Sequence, residues 1–324
     1  MSSPEGRWDS SLQTEMEKLC AGEESAERKS TSSTTSEKEG EESTPRNSAD
    51  EAGASCTDDT AETKEKLSEE DDNTLSLITW NVDGLDGENQ PERARALCSY
   101  LIQHSPDVVL LQELIQPYVR FVYKRLAVDY TYIEGGKENY FTGMMLKKSR
   151  ITLLDSEIVS YPTTQMMRNL LVAQVLFRGQ KLCLMTSHFE SCKDSAEERM
   201  RQLQLVMRRM SEAPGDVSVL FGGDTNLRAA EVAKVGLPSS VCDVWEQLGY
   251  PVHCRYTWDT RLNTNKAIPF NYHFRFDRVY LRRAHKDGAP RLNPASMALV
   301  GQEKLKCGRY TSDHWGIYCT FSAE

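Results

Sequence analysis

The densest group of side chains that could do chemistry lies at residues 220–228, which read LFGGDTNLR. The apolar run Val217–Phe221 meets two glycines and then a carboxylate, Asp224, and a carboxamide, Asn226. This order is typical of a buried strand that delivers polar side chains to the rim of a sheet. If the backbone stays extended, the side chains of Asp224 and Asn226 lie on the same face of the strand. The Asp224 carboxylate, a proton acceptor, and the neutral Asn226 amide would then be close together. An Asx-rich turn after a strand produces the same pattern, so this segment alone does not decide between the two.

Other apolar strands stop at polar side chains in the same manner. The residues that mark these stops are Asn81 and Asp83, Glu113, His188 and Glu190, Asp277 and, just before the last strand, His314. One such stop is an ordinary capped strand end. With the stop at Asp224 there are six, dispersed in the sequence but equivalent in position, and they predict one shared site at one edge of the sheets.

The chemistry that uses this set of residues is metal-assisted phosphoester hydrolysis. Glu113, helped by Asp83, offers hard oxygen ligands without a thiolate or a histidine cluster. Such ligands suit Mg²⁺, which accepts one or two carboxylates and keeps its waters. We therefore expect Mg²⁺ as the cofactor, with Mn²⁺ as a substitute.

The remaining residues of the set are assigned by what their side chains do in such a reaction. Asp224 is the candidate base that activates water, with Asn226 and Asn81 positioning water or phosphate. His314 and His188 can donate hydrogen bonds to phosphate oxygens as charge builds. Asp277 can accept from the His314 imidazole and keep it oriented and cationic.

These side chains require a strand-rich scaffold. Alternating or continuous apolar runs predict strands, and helical spacing predicts two helices, Glu92–Gln103 and Ser195–Glu212. The predicted strands are Leu75–Val82, Val108–Leu111, Tyr130–Ile133, Gly143–Leu146, Leu170–Phe177, Lys181–Ser187, Val217–Phe221, Phe274–Leu281 and Gly316–Phe321. Continuous apolar strands between helices indicate sheets covered on both faces, an α/β sandwich.

Charge divides the chain into two parts. Residues 1–72 carry 21 acidic and 8 basic side chains, whereas residues 73–324 carry 27 acidic and 31 basic ones. The first part is too polar to bury a core, so we predict an acidic disordered tail ahead of a single catalytic domain of residues 73–324. The 9 cysteines form no CxxC pair, which is typical of a reducing compartment. We find no membrane-length apolar run and no leader, and expect a monomer that does not enter membranes.

Six segments, in order, carry a resemblance to a known family: TWNVDGL, LLQE, TSHFES, GGDTNLR, RFDRVY and SDHWG. They resemble the endonuclease/exonuclease/phosphatase superfamily, the DNase I-like metal-dependent phosphodiesterases, over roughly residues 74–322. Within it, WNVDGLD, MMRNLL, YTWDT and GRYTSDHWG are similar to the animal enzymes that hydrolyse 5′-phosphotyrosyl-DNA bonds. The resemblance implies a four-layer α/β sandwich, with two mixed β-sheets flanked by helices.

The resemblance also implies roles for individual residues. Mg²⁺ would lie on Glu113 with Asp83 nearby, Asp224 would be the general acid/base, and His314 would contact the scissile phosphate. The substrate-binding residues would be Gly84 and Leu85 of the turn after the first strand, Tyr140, His188, Glu190, Ser191, Arg228, Trp258 and Phe276. Aromatic side chains beside a phosphate-seeking loop would stack unpaired bases, which suits a single-stranded 5′ end.

The expected function is hydrolysis of 5′-phosphotyrosyl-DNA adducts left by topoisomerase II, yielding a 5′-phosphate. The expected partners are DNA with a single-stranded 5′ end, a topoisomerase II-derived peptide, and signalling proteins that bind the tail. The expected location is both nucleus and cytoplasm. The open alternatives are another phosphodiesterase of the superfamily (abasic-site endonuclease, deadenylase or phosphoinositide phosphatase) and a signalling or transcriptional adaptor with secondary catalysis.

Two features depart from the family pattern. Ala229 follows GGDTNLR where an aspartate is usual, which raises the question of what orders this loop. Residues 1–72 are too polar for the ubiquitin-binding helical module of related animal proteins, and Trp8–Leu19 is the one stretch with helical apolar spacing.

Overall fold

The computed structural model describes residues 73–137 and 139–323. The predicted tail of residues 1–72, with its Trp8–Leu19 stretch, lies outside the described residues. In the described ranges, no helix has the length and apolar character needed to cross a membrane.

Two six-stranded sheets form the centre of the molecule. The first contains β1 (Thr74–Asn81), β2 (Val108–Leu114), β3 (Tyr130–Glu134), β4 (Phe141–Lys147), β13 (Leu292–Val300) and β14 (Gly316–Ala323), in the order β13-β14-β1-β2-β4-β3. The second contains β5 (Ile151–Ser160), β6 (Asn169–Phe177), β7 (Gln180–His188), β8 (Ser218–Asp224), β9 (Val241–Asp243) and β12 (Asp277–Arg282), in the order β5-β6-β7-β8-β12-β9. Each sheet is mixed, because β1–β2 and β7–β8 are parallel while the other pairs are antiparallel.

Helices cover the outer faces of both sheets. They are α1 (Gln90–His104), α2 (Gln116–Leu126), α3 (Ala196–Glu212) and α4 (Ala229–Val235), whereas the short α5 (Val244–Gln247) packs against the apolar cluster between the sheets. Helices α1 and α2 pack on the first sheet, α3 packs on the second, and a third apolar cluster fills the space between the sheets. The predicted four-layer sandwich is confirmed.

Strand β1 illustrates how the sequence builds these layers. Leu75 and Leu77 enter the cluster between the sheets, whereas Ile78 and Trp80 enter the cluster under α1 and α2. Because side chains alternate across a strand, a strand covered on both faces is apolar at almost every position. Cys98, Cys183 and Cys319 are likewise buried and free, as small apolar core residues.

Several predicted boundaries differ from the structure. Strand β8 does not stop before the glycines but continues through them to Asp224. A Cβ at Gly223 would lie 2.2 Å from the Ser187 carbonyl oxygen, so the glycine permits close strand packing instead of breaking the strand. The predicted strand Phe274–Leu281 is two strands, β11 (His273–Phe274) and β12, interrupted at Arg275 and Phe276.

Seven elements were not predicted from the sequence, which are α2, α4, α5, β5, β9, β10 (Trp258–Asp259) and β13. Strand β5 is largely exposed and β13 is interrupted by a bulge near Pro294, so neither shows a clean apolar alternation. Strand β11 pairs with β10 (Trp258–Asp259), and the loop of residues 260–272 between them reaches the edge where the site is built.

Candidate active site

Strand register brings the predicted residues to one edge of the sandwich. In the second sheet, Asp224 pairs with His188 on one side and with Asp277 on the other. In the first sheet, Asn81 pairs with Gln112, and Glu113 follows it in β2. The residues at the strand ends are therefore neighbours because of hydrogen-bonded pairing, although more than fifty positions separate Asp224 from Asp277.

Asn81 joins the two sheets at this edge. Its side-chain Nδ2 donates to Glu113 Oε1 at 3.1 Å and to Asp224 Oδ2 at 2.9 Å. Its Oδ1 accepts from the Asp83 backbone N–H at 2.9 Å. One buried carboxamide thus fixes the positions of the candidate metal ligand and the candidate base relative to each other.

Glu113 depends on an irregular backbone. It has a positive φ of 57°, and the register between β2 and β4 shifts between Leu111 and Leu114. The Gly84 backbone N–H donates to the Glu113 carbonyl at 3.1 Å, and a Cβ at Gly84 would lie 2.1 Å from that oxygen. Glycine is therefore required at this position, where it supports Glu113 in the site.

His314 is held as a cation by carboxylates. Its Nδ1 lies 2.8 Å from Asp277 Oδ2, and its Nε2 lies 3.8 Å from Asp224 Oδ2. Burial lowers the pKa of the imidazole, but Asp277, Asp224 and Asp313 together raise this pKa well above its ordinary value. The geometry agrees with the orienting role expected of Asp277.

His188 is held neutral by a different partner. Its Nδ1 is 3.0 Å from Arg168 Nη1, and its Nε2 is 3.3 Å from Asp224 Oδ2. A guanidinium can only donate, so Nδ1 is the unprotonated nitrogen and Nε2 carries the proton. Burial, Arg168 and the cationic His314 lower the pKa of His188 well below its ordinary value.

Asp224 lies between the two histidines and is almost fully buried. Burial, opposed by His314 and reinforced by Asp277, raises its pKa to about 7. A carboxylate with a pKa near the working pH can both take up and release a proton, as a general base must.

Asn226 reaches the site by a route that the sequence analysis did not expect. Its backbone is left-handed, with φ of 51°, and the strand has already ended at Asp224. Its backbone N–H donates to Asp224 Oδ1 at 3.0 Å, and Nδ2 contacts the Phe189 carbonyl at 3.4 Å. The backbone is therefore not extended here and forms the Asx-type turn that the sequence left open as an alternative, yet Asn226 lines the same cavity as Asp224.

A cavity of about 120 Å³ opens in front of these groups. The residues lining it are Glu113, His188, Ser191, Cys192, Asp224, Asn226, Arg228, Trp258, Tyr272, Phe274, Phe276, Asp313 and His314. Its aromatic side, which we name the aromatic wall, consists of Trp258, Tyr272, Phe274 and Phe276. The wall combines Trp258 and Phe274 of the strand pair β10–β11 with Tyr272, which ends the loop before β11, and Phe276, which precedes β12.

Basic groups adjoin this cavity. The Arg228 guanidinium carbon lies 5.5 Å from the ring centre of Phe276, and that of Arg168 lies 4.7 Å from the ring centre of Tyr140. Arg168 also donates to Ser191 Oγ at 3.1 Å. The predicted residues Tyr140, Ser191, Arg228, Trp258 and Phe276 thus surround one opening that can accept a negatively charged chain.

Two predicted substrate-binding residues have other surroundings. The buried Glu190 carboxylate accepts from the backbone N–H of Met166 at 2.9 Å and from Thr164 Oγ1 at 3.0 Å. It orders the segment before β6 and does not line the cavity, so its predicted contact with substrate is not supported by this geometry. Leu85 is 48% exposed at the turn after β1, where its side chain is open to solvent.

Asp83 is buried beside the site and is paired with cations. Lys266 Nζ lies 3.0 Å from its carboxylate, and Arg93 Nη2 lies 3.6 Å from it. Burial, Asp313 and Glu113 raise the pKa of Asp83 well above its ordinary value, against the opposing effect of Lys266 and Arg93. Of the two predicted metal ligands, Glu113 lines the cavity, and Asp83 lies behind it in an ion-pair network.

The loop after Asp224 is ordered without an aspartate at position 229. Glu231 Oε2 accepts from the Arg228 backbone N–H at 3.1 Å, which satisfies a free donor at the start of α4. Arg199 holds the same carboxylate at 2.7 Å. Ala229 is therefore compatible with an ordered loop, because Glu231 caps the helix.

Three charged residues of this region, Arg168, Lys266 and Asp313, were given no role on the basis of the sequence. Arg168 lies within MMRNLL and Asp313 within SDHWG, so two of them were inside quoted motifs without an assigned role. Lys266 lies in a loop with no strand signal, and no pattern in the sequence connects it with Asp83.

The donor groups fit a hard divalent cation. The Glu113 side chain is 20% exposed and adjoins an anionic cluster with Asp83, Asp224 and Asp313. Among the described residues, Asp224, Asp277 and His314 also bring three potential ligand atoms within 4.8 Å of one another. The His314–Asp277 hydrogen bond already occupies the facing atoms of that trio, which makes Glu113 the more accessible ligand.

Comparison with known proteins identifies close relatives. A family model described as "Endonuclease/Exonuclease/phosphatase family" matches residues 78–314. Tyrosyl-DNA phosphodiesterase 2 of Danio rerio is 61% identical over 263 residues, which are 81% of this chain and 70% of that protein. The Homo sapiens protein of the same name is 52% identical over 256 residues, 79% of this chain and 70% of that protein.

A crystal structure of D. rerio TDP2 complexed with single strand DNA product has the same fold. It superposes with a TM-score of 0.74 at 61% identity, covering 77% of this chain and 99% of that chain. The similarity therefore extends over nearly all of the described residues.

Proposed function

Because this chain belongs to the endonuclease/exonuclease/phosphatase family, we propose that it is a metal-dependent phosphodiesterase that hydrolyses phosphotyrosyl-DNA bonds. The observation that carries the proposal is the Asn81 carboxamide, which links Glu113 and Asp224 at 3.1 and 2.9 Å in front of a cavity with an aromatic wall. Its similarity to proteins named tyrosyl-DNA phosphodiesterase 2 supports the same substrate.

The residues divide the reaction between them. Asp224 takes a proton from the attacking water, and Asn81 and Asn226 hold the water and the carboxylate in place. The Nε2–H groups of His314 and His188 donate to phosphate oxygens as negative charge builds on them. The water oxygen bonds to phosphorus as the P–O bond to the tyrosine breaks, the phenolate that leaves takes up a proton, and the DNA keeps a 5′-phosphate.

We further propose that Glu113 holds Mg²⁺, or Mn²⁺ in its place, with Asp83 contributing negative charge nearby. The support is the chemistry of the donor set, which contains carboxylate oxygens of the kind that Mg²⁺ prefers. When bound, such an ion would offset the charge that develops on the phosphoryl group.

The substrate is inferred from the cavity. The aromatic wall offers flat faces on which unpaired bases stack, which supports a single-stranded 5′ end. The leaving group agrees with this assignment, since a phenol with a pKa of about 10 departs more readily than a deoxyribose alkoxide. We propose abortive topoisomerase II adducts as the source of such ends and a topoisomerase-derived peptide as the second product.

The remaining proposals concern the whole chain. We infer that a monomer works in nucleus and cytoplasm, and that residues 1–72 recruit signalling partners while residues 73–324 carry catalysis. A variant that lacks residues 1–72 is expected to keep the rate of the full chain on naked substrate, measured by tyrosine release. A rate that collapses in a folded variant would contradict this division.

The experiment that tests the function offers the full chain three substrates in parallel. These are a 5′-phosphotyrosyl oligonucleotide, an abasic duplex and poly(A), each with Mg²⁺ or with chelator. We expect metal-dependent release of tyrosine from the first substrate alone. Comparable cleavage of the abasic duplex or poly(A) would assign the chain to another activity of the family, and no cleavage of any of them would favour an adaptor.

A further inference from the structure

The side chain of Lys266 crosses from the β10–β11 loop to the turn after β1. Its Nζ donates to Asp83 Oδ1 at 3.0 Å and to Asp86 Oδ2 at 3.1 Å. The loop that carries it also carries Tyr272 of the aromatic wall at its far end. Lys266 therefore places a positive charge directly behind the residue expected to lie next to the metal.

The loop does not depend on Lys266 for its position. Asn263 Nδ2 donates to the Ser312 carbonyl at 2.9 Å, and Asn265 Nδ2 donates to the Tyr310 carbonyl at 3.0 Å. The Tyr310 backbone N–H returns a hydrogen bond to Asn265 Oδ1 at 2.8 Å. These bonds anchor the loop just ahead of the lysine, and beyond it Thr260 Oγ1 donates to the Phe270 carbonyl at 2.7 Å. The main contribution of Lys266 is therefore its charge.

A second cation, the Arg93 guanidinium, lies near Asp83, but its hydrogen bonds go to backbone carbonyl groups. Arg93 donates to the carbonyls of Thr311, Asp86, Val82 and Asp83 at 2.8–3.0 Å. Its shortest approach to the Asp83 carboxylate is 3.6 Å. Lys266 is thus the cation in direct hydrogen-bond contact with this carboxylate, and its side chain is 34% exposed, so it borders solvent.

Asp83 is also connected to the expected ligand. Its backbone N–H and Glu113 Oε1 are both bound to the Asn81 carboxamide. A divalent ion bound to Glu113 would lie close to Asp83, so the ion and the Lys266 ammonium would both be attracted to the Asp83 carboxylate. A neutralised carboxylate attracts an ion less strongly than a free one.

We propose that Lys266 is a positioning residue that occupies the Asp83 carboxylate, keeps it from coordinating the ion directly, and so weakens divalent-metal binding. The inference rests on the proposed function only in that the site takes up a divalent ion. A weakly bound ion exchanges readily with solvent. The charge of Lys266 therefore contributes to the metal affinity of the site.

The test is a calorimetric titration of the full chain with Mn²⁺ at pH 8, without DNA. Replacing the ammonium by an apolar chain of similar length, Lys266→Met, is expected to tighten Mn²⁺ binding by about fivefold or more, since one neutralising charge is lost. Lys266→Arg keeps the charge and is expected to bind Mn²⁺ within about twofold of the parent.

A matched control distinguishes the loss of the Lys266 charge from a loss of order in the β10–β11 loop. Arg309 joins the same two segments, donating to Asp86 and to the Asn265 carbonyl, without an ion pair to Asp83. Arg309→Met is expected to leave Mn²⁺ affinity unchanged. Equal tightening in Arg309→Met and Lys266→Met would overturn the proposal, because loosening alone would then explain the effect.

A double-mutant cycle identifies Asp83 as the group through which Lys266 acts. Asp83→Asn is expected to change the Mn²⁺ affinity little in the parent but to abolish the gain in Lys266→Met. Unchanged or weaker binding by Lys266→Met, with the fold retained in thermal unfolding, contradicts the inference. A parent that binds no Mn²⁺ would instead refute the metal site of the proposed function.

Discussion

The two histidines of the site differ in charge although both are buried and both face Asp224. His314 Nδ1 lies 2.8 Å from the Asp277 carboxylate, whereas His188 Nδ1 lies 3.0 Å from the Arg168 guanidinium. Burial lowers the pKa of both imidazoles, but the carboxylates raise that of His314 well above its ordinary value, whereas the guanidinium lowers that of His188 further. Since burial acts in the same direction on both rings, the partner on the outer nitrogen accounts for the difference between a cationic and a neutral imidazole.

The largest expected effect comes from Asp224, which both histidines share. Asp224→Asn keeps the shape but removes the proton acceptor, so turnover of a 5′-phosphotyrosyl oligonucleotide is expected to fall by at least ~10². The measurement is single-turnover tyrosine release at saturating Mg²⁺. A loss below about threefold would mean that another group accepts the proton.

The next largest effect is expected from removing the carboxylate that contacts His314, which leaves the contacts of His188 unchanged. Asp277→Asn lowers the pKa of His314, so the imidazole is expected to lose its proton as the pH rises through the neutral range. Turnover is expected to fall by about tenfold at pH 8 and by less at pH 6, on the scale of a weakened oxyanion contact. The pH dependence of kcat measures it.

A control for this variant is Asp216→Asn. Asp216 pairs with Lys181 on the surface at 3.2 Å, ahead of the end of β8 that is opposite to Asp224. Its turnover is expected to match the parent at both pH values. Equal losses at pH 6 and pH 8 in Asp277→Asn would show that Asp277 does not act through the charge of His314.

A smaller effect is expected on the other side. Arg168→Met removes the cation beside His188 and frees its Nδ1, so the pKa of His188 rises and the ring gains a proton as the pH falls. Turnover is expected to fall by about threefold to tenfold, most strongly below pH 6.5. NMR titration of the imidazole resonances reports the pKa directly.

The comparison variant here is Arg209→Met, which breaks a surface ion pair with Glu157. It removes the same charge from the chain without touching His188. A His188 titration that is unchanged in Arg168→Met would contradict the tautomer assigned above.

The smallest expected effect is on stability. The depressed pKa of His188 means that the unfolded chain binds a proton that the folded chain does not, so His188 costs stability as the pH falls below about 6.5. The raised pKa of His314 acts in the opposite sense: it stabilises the fold below about pH 6.5, and this is lost as the pH rises through the folded-state pKa.

His188→Gln should isolate the first of these contributions. The Tm of the variant relative to the parent is expected to rise by about 3 °C between pH 7 and pH 5. Differential scanning calorimetry at several pH values measures it. A Tm difference that is constant with pH would mean that His188 has an ordinary pKa in the folded chain.

Much of the fold was accessible from the sequence. The continuous apolar runs of β2 and β8 predicted strands buried on both faces, and Met200, Leu203 and Met207 predicted the buried face of α3. Exposed β5 and bulged β13 were missed because their side chains do not alternate cleanly. Periodicity reports burial, so an element with little burial leaves little signal.

For the site, the sequence by itself determined which side chains stand at the ends of the strands, because strand alternation and strand ends are local properties. Asn81, Glu113, His188, Asp224, Asp277 and His314 could be selected on that ground. Only the tertiary structure decided their charges and partners. The Asn81–Asp224 bond spans 143 positions and the Lys266–Asp83 bond spans 183, and no local pattern encodes a contact at such a separation. A pKa depends on the charges and the burial around a group, and these exist only once distant segments have packed together.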